Sequence, residues 1–178
     1  MDEMTLVNKC IDGDPLAQRK LFDMYAPKML GVCLRYAGST ELAEDALQDG
    51  FVKVFTKLNA YSGQGSLEGW IRRIMVNTSL DQIRRNAKYT ANVSVDDVEY
   101  RMESDAQILS TLMEEDLLKL VQEMPEGYRT VFNLFAIEGY SHKEIAKELD
   151  ISENTSKSQY SRAKSYLRTK VEELEIGR

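Results

Sequence analysis

Apolar and polar positions along the chain alternate with helical spacing, and no run of period two is long enough to suggest a sheet. Thr5 to Ile11 predicts a short first helix, closed by Asp12-Gly13. Asp14-Pro15 then places an N-cap before a proline at the first helical position, a strong start signal. Leu16, Leu21, Met24, Tyr25, Met29, Leu30, Cys33 and Leu34 recur at helical spacing, and Pro27 is expected to kink or divide that segment. Gly38-Ser39-Thr40 closes it and caps the next. From Glu41 to Leu58 one face carries Ala43, Ala46, Leu47, Gly50, Phe51, Val54 and Leu58, and the other carries Glu41, Asp45, Gln48, Asp49 and Val52. That second face suits plain solvation or a protein partner equally well.

Tyr61-Ser62-Gly63-Gln64-Gly65-Ser66 is a loop by composition. A helix is expected from Leu67 to Arg85, with Trp70, Arg73, Asn77, Asp81 and Arg84 in one stripe and Ile71, Met75, Val76 and Ile83 over the opposite side. An aromatic beside arginine and asparagine, next to a Gly/Ser loop, is what holding unpaired bases requires. From the pattern alone Trp70 fits a core position and a stacking platform equally. Asn86 to Asp105 is acidic and aperiodic, and reads as a linker. Helicity is expected again from Ser104 to just before Pro125, and from Glu126 to Glu138, stopped by Gly139.

The segment Gly139 to Arg168 is the most specific. Ser141 and Glu144 have the spacing of a capping box, and Ile145, Ala146 and Leu149 give a short helix its apolar face. Asp150-Ile151 makes a tight turn, and Ser152 is placed to cap a second helix. Tyr160, Ala163 and Leu167 fall on one side of it, and Asn154, Lys157, Ser158, Ser161, Arg162, Ser165 and Arg168 on the other. Two short helices about so small a turn predict a helix-turn-helix. Small serines let a nucleic-acid backbone approach, while basic and amide groups reach base edges and phosphates. A solvated basic helix ending an all-α domain is the plainer alternative.

The net charge of −6 over 178 residues argues against a nucleic-acid binder until it is located. Residues 89–116 carry eight acids against Arg101, so the remainder is near neutral, and the second helix of the helix-turn-helix is basic. No membrane span and no signal peptide are expected, and two distant cysteines, Cys10 and Cys33, suit a reduced, cytoplasmic protein. Cys33 lies in an apolar run and reads as core. The single histidine, His142, and the lack of a phosphate loop, nucleophile elbow or CxxC pattern point away from catalysis, metal and cofactor.

The order of these pieces resembles an extracytoplasmic-function (group IV) sigma factor, the compact two-domain class of bacterial sigma factors. LAEDALQDGFVKVFTKL, YSGQGSLEGWIRRIMVNTSLDQIRR and MPEGYRTVFNLFAIEGYSHKEIAKELDISENTSKSQYSRAKSYLR carry the resemblance, which covers nearly the whole chain. It implies an all-α protein with domain two over 1–87, an acidic linker over 88–104 and domain four over 105–178. It implies that Asp45, Gln48, Asp49, Val52 and Phe55 grip the clamp coiled coil of the polymerase largest subunit. Tyr61, Ser62, Gly63, Gln64 and Gly65 would match the loop, running on to Leu67, that captures a flipped base of the minus-ten element, with Trp70, Arg73 and Asn77 supporting strand opening. Ser141 and Lys143 would lie near phosphates, and Asn154, Lys157, Ser158 and Arg162 would serve the minus-thirty-five element. The implied partners are core RNA polymerase, including the flap of its second-largest subunit, promoter DNA and an anti-sigma factor. A regulated stress, envelope or nutrient response would be the setting. Two positions depart from the family pattern: Ser156 replaces an apolar residue, and Asp150 replaces the turn glycine. A helix-turn-helix regulator that binds duplex DNA without polymerase is the alternative function.

Overall fold

The computed structural model describes residues 2–87 and 114–177, which fall into two compact units, Met1–Tyr89 and Thr90–Arg178. Asn86 and Ala87, expected to begin the linker, are still helical, and the rest of the expected linker and the start of the helix expected from Ser104 lie outside the described residues. Among the described residues every regular element is helical.

The first unit is built from α1 (Glu3–Ile11), α2 (Pro15–Tyr36), α3 (Thr40–Lys57) and α4 (Leu67–Ala87), with a single 3₁₀ turn at Leu58–Ala60. The starts of α1 to α3 are written in local chemistry. Asp2 accepts from the Thr5 amide at 2.8 Å, Asp14 from the Leu16 amide at 2.9 Å, and Ser39 from the Leu42 amide at 3.3 Å. Each satisfies a donor that a helix N-terminus otherwise leaves open. Helices α2, α3 and α4 pack on one another, and α1 lies along α2. Their shared core holds Leu21, Met29, Val32, Phe51, Val54, Leu67, Ile71, Met75 and Leu80. A Cβ at Gly50 of α3 would collide with the Met75 sulfur of α4, so these two helices meet closely there.

Pro27 does not divide α2, which runs unbroken through it. Proline forfeits one backbone hydrogen bond, but Ala26 and Met29 beside it are buried, so packing on both sides holds the helix together. Cys33 is fully buried, and burial pushes its thiol up to about 11. That is the behaviour of a core residue rather than a reactive thiol.

The second unit contains α5 (Glu114–Glu123), α6 (Glu126–Phe132), α7 (His142–Leu149) and α8 (Glu153–Ile176). The helix expected over Glu126 to Glu138 does not stay α-helical: Asn133–Ile137 forms a π turn. Asn133 donates its side-chain amide to the Arg129 carbonyl at 3.0 Å, and the Glu138 amide reaches back to the Asn133 carbonyl at 2.9 Å. The wider turn brings Phe135 onto His142 (ring centroids 4.3 Å apart) and Tyr160 (4.5 Å). Arg129 is buried, and its Nη1 donates to the carbonyls of Gln122 (3.2 Å) and Met124 (3.1 Å), tying α6 to the end of α5.

Candidate nucleic-acid interface

The helix-turn-helix is formed by α7 and α8. The capping box is complete: the Ser141 hydroxyl accepts from the Glu144 amide at 3.2 Å, and the Ser141 amide donates to the Glu144 carboxylate at 2.7 Å. That bond holds the Glu144 carboxyl below the usual range. Asp150 takes the left-handed conformation the turn requires, with φ 53° and ψ 50°. Aspartate tolerates this region better than most non-glycine residues, at some cost. Ser152 then caps α8 by accepting from the Thr155 amide at 3.0 Å.

Tyr160, Ala163 and Leu167 are buried against the rest of the unit, and Ile145 answers from α7. Ser156 is also buried, which places the unusual polar residue squarely between the two helices. Its hydroxyl lies 2.8 Å from His142 Nδ1, so packing weakened by the loss of an apolar side chain is offset by a polar tie. His142 stacks on Phe135 and lies near Lys157 and Lys164, and burial with those two cations lowers its pKa.

The outer face of α8 is less uniform than its sequence pattern. Asn154, Lys157 and Ser165 are exposed, and Ser158 and Ser161 partly so. Lys143 is exposed on α7. Lys164, a further basic residue of this helix, is buried and lies over the Tyr160 ring at 4.9 Å. Arg162 also turns toward its own unit: Nη1 reaches the Tyr128 hydroxyl at 3.5 Å, and Nε and Nη2 are buried. In this conformation Lys157 and Asn154, rather than Arg162, project from the reading face.

In the first unit the loop between the 3₁₀ turn and α4 is anchored at both ends. Leu67 is fully buried, and Tyr61 is buried with its hydroxyl 2.8 Å from the Gly65 carbonyl and 3.1 Å from Glu3 Oε1. Tyr61 therefore braces the loop and does not present its ring to a ligand. Ser62, Gly63, Gln64, Gly65 and Ser66 between the anchors are exposed. Gly63 and Gly65 have φ of 73° and 82°, a conformation that costs side-chain-bearing residues strain. Trp70 is partly exposed with its ring 5.7 Å from that of Tyr61, so it is neither core nor free platform: one side packs and the other remains open. Arg73 and Asn77 continue the same stripe and are exposed.

The acidic face of α3 is a third surface. Asp45, Gln48 and Asp49 are exposed, and Val52 beside them is 66% exposed. Phe55 is half-buried, its ring 6.1 Å from Phe51. Asp45, Gln48 and Asp49 line a groove of about 590 Å³ whose far wall is Gln82, Arg85 and Asn86 of α4. Arg85 of α4 approaches Asp49 at 3.7 Å and so partly balances the acidic face, while Lys53 of α3 bonds Asp81 of α4 at 3.1 Å. Periodicity could not reveal that pairing, which depends on how α3 and α4 lie together.

Sequence reasoning missed Arg129, Tyr128 and the His142–Ser156 pair. From Arg129 to Leu134 six consecutive residues are buried, so no amphipathic period marks which of them matter. Among the described residues no cluster of His, Cys, Asp and Glu could hold a metal ion, and no helix is long and apolar enough to cross a membrane.

Comparison with known proteins agrees with this arrangement. The family model for sigma-70 region 2 matches residues 21–89, and that for sigma-70 region 4 matches residues 114–167. The chain is 24% identical over 185 aligned residues to the ECF RNA polymerase sigma-E factor of Haemophilus influenzae, with 98% of this chain and 97% of the relative covered. It is 27% identical to the RNA polymerase sigma-H factor of Pseudomonas aeruginosa over 91% of this chain and 90% of that one. The fold is similar to that of the sigma factor RpoE of Bartonella quintana, solved with the anti-sigma factor NepR, at a TM-score of 0.50 and 20% identity over 86% of this chain and 96% of that one. With both sigma-70 regions present in order over more than half its length, the chain belongs to the sigma-70 family, as an extracytoplasmic-function (group IV) sigma factor.

Proposed function

We propose that the chain is a dissociable specificity subunit that directs RNA polymerase to a set of promoters. The observation that carries this reading is the presence in one chain of an open, acid-lined α3–α4 groove in region 2 and a fully capped helix-turn-helix in region 4. Such a subunit has no bond chemistry of its own to perform; polymerase makes the RNA, and the sigma factor supplies address and strand opening. It works where polymerase works, in the cytoplasm.

Each surface has a task within that reading. Asp45, Gln48, Asp49 and Val52, with Phe55 behind them, meet a basic and apolar surface on the clamp coiled coil of the largest polymerase subunit. The exposed loop 62–66 receives a base flipped from the minus-ten element, where Trp70 offers its open side for stacking and Arg73 and Asn77 line the path of the opened strand. Lys157, Asn154 and Ser158 approach base edges of the minus-thirty-five element, and Ser141 and Lys143 approach phosphates at the start of α7. Region 4 engages the flap of the second-largest subunit, and the acidic residues 88–104 join the two domains. An anti-sigma factor that covers these surfaces would hold the protein inactive until its signal arrives.

Pull-down on core polymerase, followed by run-off transcription over genomic fragments, tests the reading. The expected result is stable capture by core polymerase and transcripts that depend on the added chain, with weak duplex binding by the chain alone. Tight, sequence-specific binding to duplex DNA with no capture by core polymerase would instead establish an autonomous helix-turn-helix regulator.

A further inference from the structure

The seam between α6 and α8 is poorly balanced in hydrogen bonds. Arg162 Nη1 meets the Tyr128 hydroxyl at 3.5 Å, the outer limit of such a bond, while Nε and Nη2 are buried without an acceptor. One turn earlier on α8, Gln159 Oε1 is buried without a donor, close enough to Gly127 that a Cβ there would come within 3.1 Å of it. Buried donors and acceptors left unpaired raise the energy of the arrangement that holds them. A guanidinium carries five N–H groups in a planar fork, and here one of them has a weak partner. Outside the seam, Ser158, Ser161 and Ser165 leave room for the long side chain to swing onto the reading face.

We propose that Tyr128 is a specificity-setting residue of the upstream-element reader. Its hydroxyl retains Arg162 against α6, and DNA binding transfers the guanidinium from this under-paired seam to acceptors on a base-pair edge. The proposal rests on the sigma-factor reading above. Guanine offers the fork two acceptors in the major groove, a better match than the single tyrosine oxygen. Only molecules with Arg162 released are competent for that contact, so the apparent affinity is reduced by the fraction that is held. Tyr128→Phe keeps the ring and removes the hold.

The test uses the full chain with core polymerase and duplexes selected by the wild-type holoenzyme from a library randomised at the minus-thirty-five element. Tyr128→Phe should bind the selected duplexes about three- to tenfold more tightly, and scrambled duplexes about as wild type does. The gain should vanish in an Arg162→Ala background. Equal or weaker binding by a normally folded Tyr128→Phe protein, or a gain that survives Arg162→Ala, would overturn the proposal. Exchange of the Arg162 Nε proton, followed by nitrogen-15 NMR on the free chain, supplies a measurement that needs neither polymerase nor DNA. Slow exchange that quickens in Tyr128→Phe supports the hold. Exchange in the wild type as fast as at an exposed arginine overturns it. Failure of the wild type to support any transcription would refute the sigma-factor reading while leaving the NMR result to decide the Tyr128–Arg162 hold.

Discussion

His142 and Ser156 show how one substitution in a helix-turn-helix changes its physics. An apolar residue at position 156 would bury hydrocarbon between α7 and α8; serine instead offers a hydroxyl 2.8 Å from His142 Nδ1. Ser156→Val, which sequence alone suggests as a stabilising repair, should therefore destabilise the second unit. Valine strands a half-buried imidazole nitrogen, costing about 1–3 kcal/mol, against which its extra apolar burial offers only partial return. Urea denaturation of the full chain measures the sign; a rise in stability would show that the bond is negligible. The same pair makes stability depend on pH. Burial, Lys157 and Lys164 lower the His142 pKa below the ordinary imidazole value of 6.5, outweighing Glu153, while Tyr160 and Phe135 face it as uncharged rings. The unfolded chain then binds the proton more readily, so the contribution is full above pH 6.5 and is lost as pH falls through the folded value. His142→Phe keeps the stack on Phe135 and removes the titration, and should flatten this acid limb in melts taken across that range. None of this was legible in the residues, because the partner of a buried polar group is set by where two helices cross.

At the scale of elements, helix starts were the most legible feature and side-chain orientation the least. Asp14, Ser39, Ser141 and Ser152 each cap the helix that follows through bonds spanning two or three residues, so local sequence suffices to place them. The unbroken path of α2 through Pro27 and the π turn after Phe132 were not legible, since tertiary packing and the Asn133 side chain decide them. Gly50 belongs to the same class. It reads as one small residue on an apolar face, yet it marks the contact of α3 with α4. Gly50→Ala should cost about 1–3 kcal/mol through overpacking, softened as far as the flexible Met75 can shift. An unchanged denaturation midpoint would mean that Met75 repacks freely. Asp49→Arg makes the opposite kind of change on the outer face of α3. Asp49 and Arg85 are both more than half exposed, so loss of their 3.7 Å contact should leave the fold intact. Affinity for core polymerase should nevertheless fall if Asp49 faces the polymerase as proposed above, because a reversed charge at such a carboxylate adds repulsion. Competition for core polymerase, read beside circular dichroism, separates the two effects. Full affinity in the variant would reduce the acidic face to a solvated one.

Across the whole molecule the informative quantity is where charge accumulates. The total of −6 is accounted for by residues 89–116, with eight acids against Arg101, and the two helical regions on either side are close to neutral. A nearly neutral region 2 and region 4 are expected to bind nucleic acid weakly on their own, since phosphate affinity scales with the number of cations brought to the backbone. On the function proposed above, local basic groups such as Lys157 and Lys143 would suffice once polymerase holds the DNA in place. The acidic stretch is expected to add repulsion against free DNA, and on the function proposed above it would suit a basic channel of the polymerase, where acids imitate the charge of RNA. Most of it lies outside the described residues, so its composition and its position between two sigma regions carry the expectation. Neutralising Asp96, Asp97, Glu99 and Glu103 together to the corresponding amides should do two things. Duplex binding by the free chain should strengthen and show a steeper salt dependence, because a screening anion has been removed. Early transcription by the holoenzyme should shift its pattern of abortive products, because nascent RNA no longer competes with a like-charged segment. Affinity for core polymerase should change little, as the function proposed above gives the attachment to α3 and region 4. An abortive ladder identical to wild type, together with an unchanged salt slope, would reduce the segment to a tether. A large fall in core affinity would instead make it part of the attachment surface.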